Sequence, residues 1–152
     1  MITTTNHLSI TVKDLDKVIA FFRDVMEVDN IWPEYSYQGP MIDKLIGFSG
    51  THIRVAKVET PNLIIEFIQY LSPAGRELNG ETNDVGCPHI GFEIEDIDYA
   101  YEKLSKNGVR FKSPPVLITS ESSPMKGWKA AYCVGPENIN LELMQRPKPA
   151  KA

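Results

Sequence analysis

Residues 7–16 read HLSITVKDLD and residues 89–98 read HIGFEIEDID. An offset of 82 positions lays His7 on His89, Asp14 on Asp96 and Asp16 on Asp98, and matches Leu8 with Ile90, Ile10 with Phe92, Val12 with Ile94 and Leu15 with Ile97. Self-similarity at a fixed offset means one supersecondary unit used twice, which removes most topologies open to a chain of 152 residues. In each copy the apolar residues first alternate, as in a half-buried strand. They then fall at helical spacing: Leu15, Val18, Ile19, Phe22 and Val25 in the first copy, Ile97, Ala100, Tyr101 and Leu104 in the second. Each copy therefore reads as a strand followed by a helix. The Asp residues at the junction suit the orphan amides and positive dipole end of a helix start, and Lys106-Asn107-Gly108 is a stop signal for the second helix.

A second phrase follows each helix, LIIEFIQ at 63–69 and INLELMQ at 139–145, which lays Glu66 on Glu142 and Gln69 on Gln145 at an offset of 76. Strand-rich sequence precedes each: GTHIRVAKVE with a turn at Thr60-Pro61-Asn62, and GWKAAYCV with a turn at Gly135-Pro136-Glu137-Asn138. The expected architecture is α+β, two tandem βαβββ modules forming a cup-shaped mixed sheet with the helices outside. Module one is expected over about residues 4–71 and module two over about 87–146, joined by a polar linker over about 72–86. A disordered tail is expected at 147–152.

Composition narrows the function. With 42% hydrophobic and 24% charged residues and a net charge of -4, the chain carries no basic stripe to displace counterions from a phosphate backbone, so no nucleic-acid partner is expected. No apolar run approaches the ~20 residues that span a bilayer, and MITTTNH lacks the features of an export signal. No membrane partner and a cytoplasmic location are expected. Cys87 and Cys133 read as reduced, inert thiols.

Side chains of a strand alternate between its faces. His7, Ser9 and Thr11 oppose Leu8, Ile10 and Val12; His89, Gly91 and Glu93 oppose Ile90, Phe92 and Ile94; and Glu66 and Glu142 likewise oppose the apolar face that packs on the helices. A carboxylate in such apolar strands needs a cation, and neither phrase contains Lys or Arg. A metal ion is the economical counter-charge. Two imidazoles and two carboxylates at corresponding points of two modules, His7, Glu66, His89 and Glu142, predict one divalent ion (zinc, nickel, cobalt, manganese or iron), since mixed N/O ligands accept all of these.

With these four residues in NHLSITVKDLDKVIAFF, LIIEFIQY, CPHIGFEIEDI and YCVGPENINLELMQ, the sequence resembles the vicinal oxygen chelate superfamily of glyoxalases, bleomycin resistance proteins and dioxygenases over nearly its whole length. The resemblance implies a single domain over residues 1–150 with the glyoxalase-like fold, the four residues above as metal ligands, a small-molecule substrate and a homodimer. It is nearest the glyoxalase I and methylmalonyl-CoA epimerase branch. Thr11 and Tyr70 stand where glyoxalase I has a basic residue and an Asn for glutathione.

The expected function is a divalent-metal-dependent isomerase, epimerase or lyase that moves a proton next to a carbonyl, with Glu66 and Glu142 as the catalytic carboxylates. His52, Arg54 and Trp128 are expected to bind substrate, Arg54 as a clamp on a carboxylate or phosphate. Trp32, Tyr35 and Tyr37 are candidate cavity walls. Two alternatives stand beside this reading: a non-catalytic small-molecule or antibiotic binding protein of the bleomycin-resistance type, and an iron extradiol dioxygenase.

Overall fold

Residues 1–77 and 80–148 are described by the structure, a computed structural model. The chain divides into two compact units, Met1–Leu78 and Asn79–Ala152. The first runs β1 (Leu8–Val12), α1 (Leu15–Ala20), β2 (Tyr35–Gln38), α2 (Pro40–Ile46), β3 (His52–Glu59) and β4 (Ile64–Ser72). The second runs β5 (His89–Glu93), α3 (Ile97–Lys106), β6 (Arg110–Phe111), β7 (Val116–Leu117), β8 (Lys129–Val134) and β9 (Asn140–Gln145), with a short 3-10 turn at Pro136–Asn138 before β9.

The repeat in sequence is a repeat in topology. The first sheet has the order β1-β4-β3-β2 and the second β5-β9-β8-β6, with β7 also on β8. In each, the strand that opens the unit lies parallel to the one that closes it, and the closing strand is antiparallel to its predecessor. Register repeats as well: Ser9 pairs with Glu66, and Gly91, the residue corresponding to Ser9, pairs with Glu142.

Local chemistry fixes where each first helix begins. Asp14 accepts the Lys17 amide at 3.0 Å and Asp96 accepts the Tyr99 amide at 3.0 Å, each satisfying an orphan donor of the first turn. The second Asp of each phrase takes a cation from the neighbouring sheet. Asp16 pairs with Arg54 at 2.8 Å and Asp98 with Lys129 at 2.5 Å.

Leu15, Val18 and Phe22 of the first helix are fully buried with Val58, Ile65 and Phe67, and the Phe22 and Phe67 rings lie 5.1 Å apart. Each such side chain contributes about 1.5–3 kcal/mol on removal from water. In the second unit Ile97 and Leu104 are buried, as are Leu141, Leu143, Ala131 and Cys133 of the sheet.

Two features depart from the expected modules. The helix that starts at Leu15 changes to a π-helical segment over Phe21–Val25, so its apolar stripe ends on Phe22 while Val25 is only half-buried. An extra helix, α2, interrupts the run of strands in the first unit, and its buried Ile42 packs with Ile53 and Val55 on the sheet. Pro40 opens α2, and Gly47, at φ 79°, closes it in the left-handed conformation. The expected linker begins at the last residue of β4 and includes Leu78 and Asn79, which lie outside the described residues, as do residues 149–152 of the expected tail. No helix among the described residues is long and apolar enough to cross a membrane.

Candidate metal centre

Each unit brings its own His and Glu together. His7 lies just before β1 and Glu66 in β4, and the parallel β1–β4 register carries His7 Nε2 to 3.4 Å from Glu66 Oε1. His89 opens β5, and its Nε2 lies 3.2 Å from Glu142 Oε2 of the parallel strand β9. Beside this pair a Cβ at Gly91 would lie 2.9 Å from Met144 Cε, the flexible end of that side chain, and 3.9 Å from Glu142 Oε2.

The surroundings of the two pairs differ. Glu66 Oε2 lies 3.1 Å from Lys57 Nζ, directly across the β3–β4 ladder, and accepts the Tyr35 hydroxyl at 3.3 Å. Lys57 and Glu66 side chains are only 15% and 12% exposed. Burial works against the Lys57 charge, but the Glu66 carboxylate and the Tyr35 hydroxyl outweigh it and hold the ammonium above its ordinary pKa. The expectation that the carboxylates lack a protein cation is therefore corrected for Glu66: the hairpin turning at Thr60-Pro61-Asn62 delivers Lys57 from the neighbouring strand. Glu142 has Tyr132 at the corresponding ladder position. The Tyr132 hydroxyl lies 3.4 Å from His89 Nε2, and the two rings meet edge-on at 5.3 Å. Burial, and then the nearby Glu142, push the Tyr132 phenol above its usual pKa, so it stays a neutral donor.

Both pairs have the dimensions of metal ligation. Two donors each ~2.1 Å from one ion stand roughly 3.0–3.4 Å apart for octahedral to tetrahedral angles. His7 is also oriented for it: Nδ1 lies 2.7 Å from Asn6 Oδ1, which can only accept, so Nδ1 carries a hydrogen and Nε2, the nitrogen turned to Glu66, is the one available to a metal. Two acceptors facing each other are satisfied by a cation between them, a proton or a metal ion. The donor chemistry of each pair, one imidazole and one carboxylate, fits a divalent ion. Among the described residues, neither unit by itself gathers three His, Cys, Asp or Glu side chains at one point.

Of the three residues expected to bind substrate, His52 and Arg54 lie in β3 and Trp128 just before β8. Arg54 pairs with Gln69, two residues from the Phe67 that packs on Phe22, and so lies on the α1 side of the sheet, opposite to Glu66. All five of its N–H groups are used: Nε and Nη2 on Glu34, Nη1 and Nη2 on Asp16, and Nη1 on Gln69. The clamp expected of Arg54 is corrected to a structural tie, because no donor remains for a substrate anion. His52 stands five residues along β3 from Lys57, about 16 Å of strand, where the ladder is irregular, and its Nε2 meets Ser36 Oγ at 3.1 Å. Trp128 carries the Arg146 guanidinium 4.6 Å above its ring, and Arg146 is tied to Glu93 at 2.5 Å. Lys57, Tyr132 and Asn6 are neighbours of the pairs that the linear sequence did not single out, and Tyr35, expected as a cavity wall, is a hydrogen-bond donor to Glu66.

Comparisons with known proteins agree with this reading of the fold. A model of the Glyoxalase/Bleomycin resistance protein/Dioxygenase superfamily matches residues 4–123. A 2-epi-5-epi-valiolone epimerase from an Actinomyces species is 28% identical over 146 residues, covering 93% of this chain and 79% of the epimerase. A glyoxalase family protein from Bacillus cereus superposes with a TM-score of 0.81 at 23% identity, over 97% of this chain and 96% of that one. A fosfomycin resistance protein from Listeria monocytogenes, solved with Mn(II) and sulfate, superposes with a TM-score of 0.60 at 21% identity, over 97% and 96% of the two chains. With two sheets of one repeated topology and a family match over most of its length, the chain belongs to the Glyoxalase/Bleomycin resistance protein/Dioxygenase superfamily and has the glyoxalase-like fold.

Proposed function

We propose that the protein is a divalent-metal-dependent epimerase or related isomerase or lyase that moves a proton on a carbon next to a carbonyl of a small substrate. The observation that carries this is the duplicated pair: His7 with Glu66 at 3.4 Å and His89 with Glu142 at 3.2 Å, each at the spacing of two ligands on one ion. The ligands this proposal assigns are His7, Glu66, His89 and Glu142. Among the three reaction types, epimerisation is favoured by the named activity of the Actinomyces relative.

When bound, the ion supplies Lewis-acid polarisation of a substrate oxygen, which acidifies the neighbouring C–H. The chain's own residues supply the rest. His7, oriented by Asn6, and His89, held edge-on by Tyr132, fix the imidazole donors. Glu66 and Glu142 are the candidate bases: one carboxylate takes the proton from the carbon and the other returns it, to the opposite face in an epimerisation.

Protein purified without chelator is expected to hold about one divalent ion per chain, lost in His7→Ala and in His89→Ala. With the ion restored, deuterium from D2O should enter candidate hydroxy ketones, 2-oxo acids or acyl thioesters beside the carbonyl, as read by NMR, and Glu142→Gln should stop it. A folded protein that takes up no divalent ion refutes the proposal.

A further inference from the structure

We infer that Lys57 is a resident cation that weakens metal binding at the His7–Glu66 half-site and so sets how tightly the protein holds its ion. The inference rests on the metal-binding reading above. Glu66 divides its two oxygens: Oε1 faces His7 Nε2 at 3.4 Å, while Oε2 takes Lys57 Nζ at 3.1 Å and the Tyr35 hydroxyl at 3.3 Å. An ion on Oε1 and Nε2 would share one carboxylate with the ammonium. Like charges at that range in a half-buried site repel, and the ammonium already draws on the negative charge that the ion needs.

The ammonium is also built in rather than passing by. Nζ lies 5.3 Å from the Trp32 ring centroid and 5.9 Å from that of Tyr35, both within cation–π range. Trp32 is itself fixed by donation from Nε1 to Glu59 Oε2 at 2.7 Å. These contacts keep the positive charge beside Glu66 even when the carboxylate turns towards an ion. The second unit has a neutral phenol at the equivalent place, Tyr132 opposite Glu142. The two half-sites are thus alike in ligands and unlike in charge.

The test is calorimetric titration of chelator-stripped protein with Mn(II), Co(II) and Zn(II). Lys57→Met, and Lys57→Tyr as a second variant that copies the other unit, should bind at least one of these ions tenfold or more tightly than the wild type. Lys57→Arg, which keeps the charge, should bind within about threefold of it. A purely structural role for Lys57 predicts the opposite sign, because a loosened Glu66 is a poorer ligand. Equal or weaker binding by the folded Met and Tyr variants overturns this inference while leaving the metal reading intact. Absence of binding in the folded wild type and every variant overturns both.

Discussion

Lys129 Nζ reaches Asp98 Oδ2 at 2.5 Å from the ladder position opposite Gln145, repeating in the second unit the tie that Arg54 makes to Asp16 from opposite Gln69. The Gln residues close the same junction. Gln69 Nε2 donates to the Lys13 carbonyl at 2.7 Å, and Gln145 Oε1 accepts the Ile97 amide at 2.8 Å. The repeated Asp and Gln of the two phrases are therefore a latch that fastens each first helix to its sheet, while the repeated His and Glu face one another across the parallel strand pair. One duplication serves two purposes, and the residues divide between them by the face of the strand on which they fall.

The latch gives a stability prediction. Ile97 is fully buried and opens α3, so its amide is one of the orphan donors of the helix start, and the Gln145 side chain satisfies it. In Gln145→Leu that donor loses its partner inside the protein. The expected cost is about 1–3 kcal/mol of unfolding free energy in urea, with the metal affinity unchanged. An unchanged urea midpoint would show that the amide is satisfied in another way.

Arg54 makes a prediction in pH. Its hydrogen bonds hold the Asp16 and Glu34 carboxyls below their ordinary values of 3.8 and 4.5. A carboxyl whose pKa is lower folded than unfolded adds stability that is present above the unfolded value and lost as pH falls through the folded one. Arg54→Met should therefore melt below the wild type by a constant interval above about pH 5, and the interval should narrow as the pH is lowered through 4.5 and 3.8. Thermal melts over pH 2–8 read this directly. Both carboxylates are largely solvated, so screening keeps the interval small and added salt should shrink it further. If Arg54 were a substrate clamp instead, its replacement would leave the melting curve unmoved.

Much of this was legible in the sequence, and the misses have distinct physical causes. The offsets of 82 and 76 residues carry both strand–helix starts, the N-cap aspartates and the strand face on which His7, Glu66, His89 and Glu142 fall, whereas the pairing of each His with its Glu needs the parallel strand neighbours. Lys57 was passed over and Arg54 was assigned to substrate because their roles depend on hairpin register. With the turn at Thr60-Pro61-Asn62, Lys57 falls opposite Glu66 and Arg54 opposite Gln69, so the cation nearest the site is the one three positions beyond the arginine that alternation alone singled out. Working the ladder back from that turn would have found it. Helix α2 was missed despite Pro40 and Gly47 at its two ends, since a seven-residue helix shows too little periodicity to stand out from a loop. The π-helical segment after Ala20 has no comparable sequence signal, as Phe21, Phe22 and Val25 fit an ordinary helix equally well.

Cys133 gives the last prediction. It is 1% exposed in β8, and burial alone pushes its thiol up to about 11 from an ordinary value of 9.0. At pH 8 almost none of it is thiolate, and a reagent has no path to it. In a Cys87→Ala background, which leaves this thiol as the only one, a thiol-specific reagent should label the native protein no faster than the chain unfolds, and labelling should accelerate in urea in step with the unfolding transition. The same burial has a consequence in alkali: above the ordinary value the unfolded chain releases this proton while the folded one keeps it, so stability should fall between pH 9.0 and about 11, and Cys133→Ala should lessen that fall. Rapid labelling of native protein at pH 8 would contradict the packing of β8 against its unit's core.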